Sequence, residues 1–152
     1  QAVVIAAIIP IGILSMLLGR KRTIQLGMLL MVFAMTYAVN INEGQSWLIA
    51  GIIAIAGIGW TMIGINTYVM VVELSKGYDV GRYTGYYYAA SMSAQIITPI
   101  LSGVLMDEYG RLILFPYAAI FVALSFITVL FVKQGEAKKI KGSLLQALEE
   151  VE

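Results

Sequence analysis

Neither cysteine nor histidine occurs among the 152 residues. Their absence excludes disulfide staples, thiol nucleophiles, histidine-ligated zinc, haem held by an axial histidine and every Ser-His or Cys-His catalytic pair within the chain. Charge is nearly as scarce. Asp, Glu, Lys and Arg together make up 12% of residues, about half of what a water-facing surface carries. The formal net charge of +1 sets up no field that would gather nucleic acid. Apolar residues fill the space these leave, at 60% of the chain. They fall into five charge-free runs, 2–18, 23–41, 47–72, 84–106 and 112–132, which cover more than two thirds of the sequence. Each run reaches the roughly 17 to 25 residues that a membrane-spanning helix needs. The expectation is an all-α polytopic membrane helix bundle of five transmembrane helices occupying 1–133. With no ionisable acid or base inside any run, no carboxylate pair sits at membrane depth, and Ser, Thr and Tyr there have no base to activate them. An enzyme is therefore not expected, and no metal site is either.

The few cations are placed unevenly. Arg20, Lys21 and Arg22 follow the first run, Lys76 and Arg82 the third, and Lys133, Lys138, Lys139 and Lys141 the fifth, whereas the alternate loops hold Arg111 alone. Basic loops stay on the cytoplasmic side, so the first helix is expected to enter from outside and the C-terminus to be cytoplasmic, in a multi-pass protein of the cell membrane. Gln1 opens directly into apolar sequence without a basic region or a small-residue cleavage site, which argues against a signal peptide. The expectation is that the numbering starts partway through a longer protein. Residues 134–152 change character, with Ile140, Leu144, Leu148 and Val151 at helical spacing and Ser143 and Gln146 placed as a capping box. That pattern fits an amphipathic cytoplasmic helix, either lying on the lipid surface beside Lys138, Lys139 and Lys141 or docking on a partner.

Polar residues inside the runs form stripes. In the fourth run Tyr88, Ser91, Gln95, Thr98 and Ser102 recur at alternating spacings of three and four, which places them on one helix face. Such a face either lines an aqueous cavity that binds a polar solute or ties helices together through hydrogen bonds. Pro99 interrupts the same helix and frees the carbonyl of Gln95, so a hinge or kink is expected there. In the third run Ala50, Ala54, Gly57, Thr61 and Gly64 form a small-residue face suited to close helix packing. Beside it stand Trp60, Asn66, Thr67 and Tyr68. Asn66 reads equally as an inter-helix tie or a solute ligand, and Trp60 as a stacking surface for a sugar ring or as core. Glu73 ends this run close in sequence to Lys76 and Arg82, as a salt bridge of a cytoplasmic gate or as a solvated charge. The second and fifth runs carry few polar groups and read as lipid-facing scaffold.

Three loop patterns resemble those of the major facilitator superfamily. Gly12, Leu14, Gly19, Arg20 and Lys21 fall in register on its Gly-x-Leu-x-Asp-Arg-x-Gly-Arg-Lys turn, with Met16 and Leu17 at the Asp and Arg positions. Pro99, Gly103, Leu105, Asp107, Gly110 and Phe115 are similar to the signature joining its last two helices. Gly81, Arg82, Tyr83, Thr84, Gly85, Tyr86, Tyr87 and Tyr88, followed by Gln95 and Pro99, resemble the sucrose and α-glucoside proton symporters and the glycoside-pentoside-hexuronide cation symporters.

The resemblance implies the last five helices of a twelve-helix transporter, with the N-terminal half as partner, and alternating access around a solute near the midplane. It implies that Trp60, Asn66, Tyr88, Ser91, Gln95 and Thr98 bind a sugar, and that Gly19, Arg20, Lys21, Arg22, Glu73 and Arg82 form a cytoplasmic gate. The coupling ion would be a proton or sodium, with any coupling carboxylate outside this chain. The alternatives are a facilitator for another small polar solute or a membrane scaffold without transport.

Overall fold

The computed structural model describes residues 2–39, 46–75 and 79–132. Among these the chain is an all-α membrane helix bundle of α1 (Ala2–Leu18), α2 (Arg20–Ala38), α3 (Ser46–Leu74), α4 (Val80–Tyr109) and α5 (Leu114–Phe131), with a 3-10 turn at Arg111–Ile113 before α5. The amphipathic tail expected over 134–152 lies outside the described residues.

α3 and α4 extend past both ends of their charge-free runs, because a charge marks the membrane interface without ending a helix. α4, at 30 residues, is about 45 Å long against a hydrocarbon layer of about 30 Å. Its ends therefore reach the headgroup region, where Arg82 and Asp107 can be solvated. α2 likewise begins at Arg20, since Arg and Lys are good helix formers. Of the five expected spans, α3 from Trp47, α4 and the Arg111–Phe131 segment are long and apolar enough to cross a membrane. The other two differ: α1 has 17 residues, and α2 opens with three cations.

Two glycines set the sharpest turns. Gly19, with φ of 90°, separates α1 from α2, and Gly110, with φ of 83°, ends α4. Both conformations are costly for any residue with a Cβ.

α2 lies between α3 and α5. Ile24 and Met28 of α2 and Met70 of α3 form the buried cluster, with Val122, Phe126 and Val129 of α5 packed against it. At the α2–α3 crossing the two backbones touch: a Cβ added at Gly27 would lie 2.8 Å from the Gly59 carbonyl oxygen, and one added at Gly59 would lie 2.7 Å from that of Gly27. The expected packing face of α3 is met in part: Thr61 is buried and Ala54 and Gly57 are half-buried, whereas Ala50 and Gly64 are exposed, and the inward face also carries Gly59, Met62, Asn66 and Met70, all buried. A stripe of small residues permits close approach, but where glycines face each other on both helices the approach is closest. The crossing revises the reading of α2 as mostly lipid-facing. Leu26, Leu29 and Phe33 are exposed on it, while Thr23, Ile24, Gly27, Met28 and Ala34 are buried.

α4 is attached differently. It buries no residue and meets α3 through tyrosines, with Tyr68 of α3 at 5.9 Å from the Tyr87 ring and 6.2 Å from the Tyr88 ring. These separations suit edge and tilted aromatic contacts.

Candidate functional site

The spacing of the α4 stripe and the tyrosine contact with α3 together produce a groove. Ser91, Ala94, Gln95, Thr98 and Pro99 supply one wall, Trp60 of α3 faces them, and this open groove has a volume of about 510 Å³. That lies in the range of small-molecule sites, about 300 to 1,000 Å³. Trp60 is 67% exposed, so its ring is available to a ligand rather than fixed in a core. The Ser91 hydroxyl donates to the Tyr88 carbonyl at 3.2 Å. Among the described residues, the Gln95 amide and the Thr98 hydroxyl have no hydrogen-bond partner. An amide offers two donors and an acceptor, a hydroxyl one donor and two lone pairs, which is the equipment for holding a hydroxylated solute. α4 continues through Pro99 as one helix. The Ser102 hydroxyl goes to the Pro99 carbonyl at 3.2 Å and not to that of Gln95.

Two of the residues expected in this site stand elsewhere. Asn66 is 2% exposed; its carbonyl oxygen accepts from the Ser15 hydroxyl, and its amide donates to the Met62 carbonyl at 2.8 Å. It ties α1 to α3, and its burial keeps it out of the groove lined by Trp60 and α4. Ser15 was the missing partner, and it was visible as the single polar side chain in the first run. Tyr88 belongs to the ring cluster with Tyr68 and Tyr87, the latter at 5.5 Å, one helical turn before Ser91.

The expected gate residues also redistribute. Glu73 forms a salt bridge with Arg20 at 2.7 Å. The crossing at Gly27 and Gly59 runs the two helices antiparallel, so the start of α2 meets the end of α3. Arg20 Nη1 is buried without a hydrogen-bond partner among the described residues. Arg82 turns along its own helix, with Nε donating to the Tyr86 hydroxyl at 3.2 Å and its guanidinium 5.7 Å from the Tyr86 ring centre. Lys76 lies outside the described residues. Lys21 reaches across to α5 and donates to the carbonyls of Leu130 at 3.0 Å and Val132 at 2.7 Å. A cation on the last carbonyls of a helix satisfies orphan acceptors and complements the helix dipole. Sequence spacing carried no signal for that contact, because its partners are backbone atoms more than a hundred residues away.

The family model described as Major Facilitator Superfamily matches residues 1–148 of this bundle of long apolar helices. The chain belongs to the major facilitator superfamily. Comparison with curated proteins and with solved structures gave no match. Major facilitator chains are membrane transporters.

Proposed function

We propose that this major facilitator chain contributes to a cation-coupled sugar transporter of the cell membrane that works by alternating access, with the basic turns on the cytoplasmic side. The observation that carries the proposal is the groove of Trp60, Ser91, Gln95 and Thr98, which sets an accessible indole face opposite an amide and two hydroxyls. Aromatic faces stack on the apolar faces of sugar rings, while hydroxyls and amides match their hydroxyl groups. The resemblance of Gly81 to Tyr88 to glycoside and sucrose symporters points to the same substrate class. Arg20 with Glu73, and Lys21 on the end of α5, fasten the basic end in this conformation, and in the proposed cycle they act as part of the cytoplasmic gate. A coupled proton or sodium ion would titrate or bind on a group outside the described residues.

The test is uptake of a panel of labelled mono- and disaccharides by the complete gene product in proteoliposomes. Trp60→Ala and Gln95→Ala are expected to cut uptake of the preferred sugar by about tenfold or more at equal protein content. Uptake of every sugar indistinguishable from empty liposomes, or an unchanged KM in both variants, would overturn the assignment.

A further inference from the structure

The basic end of α2 carries three consecutive cations, and two are already engaged. Arg20 pairs with Glu73 at 2.7 Å, and Lys21 donates to the Leu130 and Val132 carbonyls. Arg22 is exposed, and among the described residues it makes neither an ion pair nor a hydrogen bond.

Arg22 lines a second groove, of about 350 Å³, with Leu18 of α1, Gln25, Leu26 and Leu29 of α2, and Phe126 of α5. The sugar groove shares no residue with it. Four of these side chains are hydrocarbon, the other two offer a guanidinium and an amide, and none is acidic. Leu26 and Leu29 are exposed, so the apolar floor is turned outward from the bundle. The backbone adds charge of the same sign. α2 has no acidic residue in its first turn and no side-chain cap, so the positive pole of the helix dipole stands beside three cations, of which Glu73 neutralises Arg20.

We propose that this groove binds one anionic phospholipid from the leaflet that borders the basic loops. Its phosphate lies against Arg22 and Gln25, and an acyl chain runs along Leu18, Leu26, Leu29 and Phe126. A water-soluble anion would leave the hydrocarbon wall uncovered, and a zwitterionic lipid would bring its own cation toward Arg22. The charge of Arg22 and the apolar wall therefore select the same ligand. Basic sites between helices at a membrane interface gain about 1 kcal/mol per Arg or Lys from an anionic leaflet, which corresponds to about a fivefold preference.

The experiment uses the complete gene product in nanodiscs of equal parts phosphatidylglycerol and phosphatidylcholine, with retained lipids counted by native mass spectrometry after gentle detergent extraction. The parent protein is expected to retain phosphatidylglycerol about fivefold over phosphatidylcholine. Arg22→Gln should bring the ratio close to one, and Arg22→Lys should keep most of the preference, since the charge persists. Arg111→Gln, at an exposed cation outside the groove, should leave the ratio at the parent value. Equal retention of the two lipids by the parent would overturn the proposal. So would an Arg22→Gln ratio equal to the parent's, or a loss as large in Arg111→Gln, which would assign the effect to bulk charge. The readout is independent of sugar uptake, so failure of the transport reading and failure of this one are distinguishable.

Discussion

α2 and α4 reverse the usual link between polarity and exposure. α2 opens with three cations yet buries Thr23, Ile24, Gly27, Met28 and Ala34, whereas α4 carries the polar stripe and buries nothing. In water a helix turns its apolar face inward because burial removes that face from solvent. In lipid the tails are as apolar as leucine, so that driving force between helices is absent. Packing is then decided by how closely backbones can approach and by which polar groups find partners. α2 has both: Gly27 against Gly59, and Arg20 and Lys21 on groups of α3 and α5. α4 has tyrosine contacts and a row of side chains that hydrogen-bond locally or not at all, and the groove forms along this loosely attached helix.

The sharpest way to break the contrast is to separate α2 from α3. Gly59→Leu puts a side chain where a Cβ would already lie 2.7 Å from a backbone oxygen, and should cost about 3 kcal/mol or more. The expected result is protein that fails to accumulate or unfolds at a much lower temperature in detergent. Gly64→Leu, with open space around its Cβ, should keep the parent midpoint. Similar behaviour of the two variants would remove the glycine crossing as the basis of α2 burial.

Glu73→Gln is expected to cost less, about 1 to 2 kcal/mol, because it leaves the Arg20 guanidinium without its counter-charge. Adding Arg20→Gln should recover part of the loss, and strictly additive losses in a double-mutant cycle of thermal unfolding would show that the pair contributes nothing. Asn66→Leu should cost about 1 kcal/mol by removing the tie to Ser15. A following Ser15→Ala should then add little further loss. Any change of KM for sugar in Asn66→Leu at normal stability would return Asn66 to the solute site. The smallest expected effect on stability is that of Gln95→Ala, within about 0.5 kcal/mol, since its amide holds nothing in the fold. A large loss of stability there would make the α4 stripe helix glue and erase the contrast with α2.

Much of the fold was legible in the sequence. Charge-free runs located the helices because a spanning segment must satisfy its backbone internally and keep charge at the interface. Periods of three and four identified the α4 face of Ser91, Gln95 and Thr98, since side-chain direction along a helix is fixed by its pitch. Local spacing could not say which of several small-residue faces meets a neighbour, whether a lone amide has a hydroxyl to bond, or which acid an arginine reaches. Those depend on a partner far along the chain. The tertiary structure therefore decided that Gly59 and not Gly64 sits at the crossing, that Asn66 belongs to Ser15, and that Glu73 belongs to Arg20. In a medium without a hydrophobic gradient between helices, contacts of this kind determine which helix stands where.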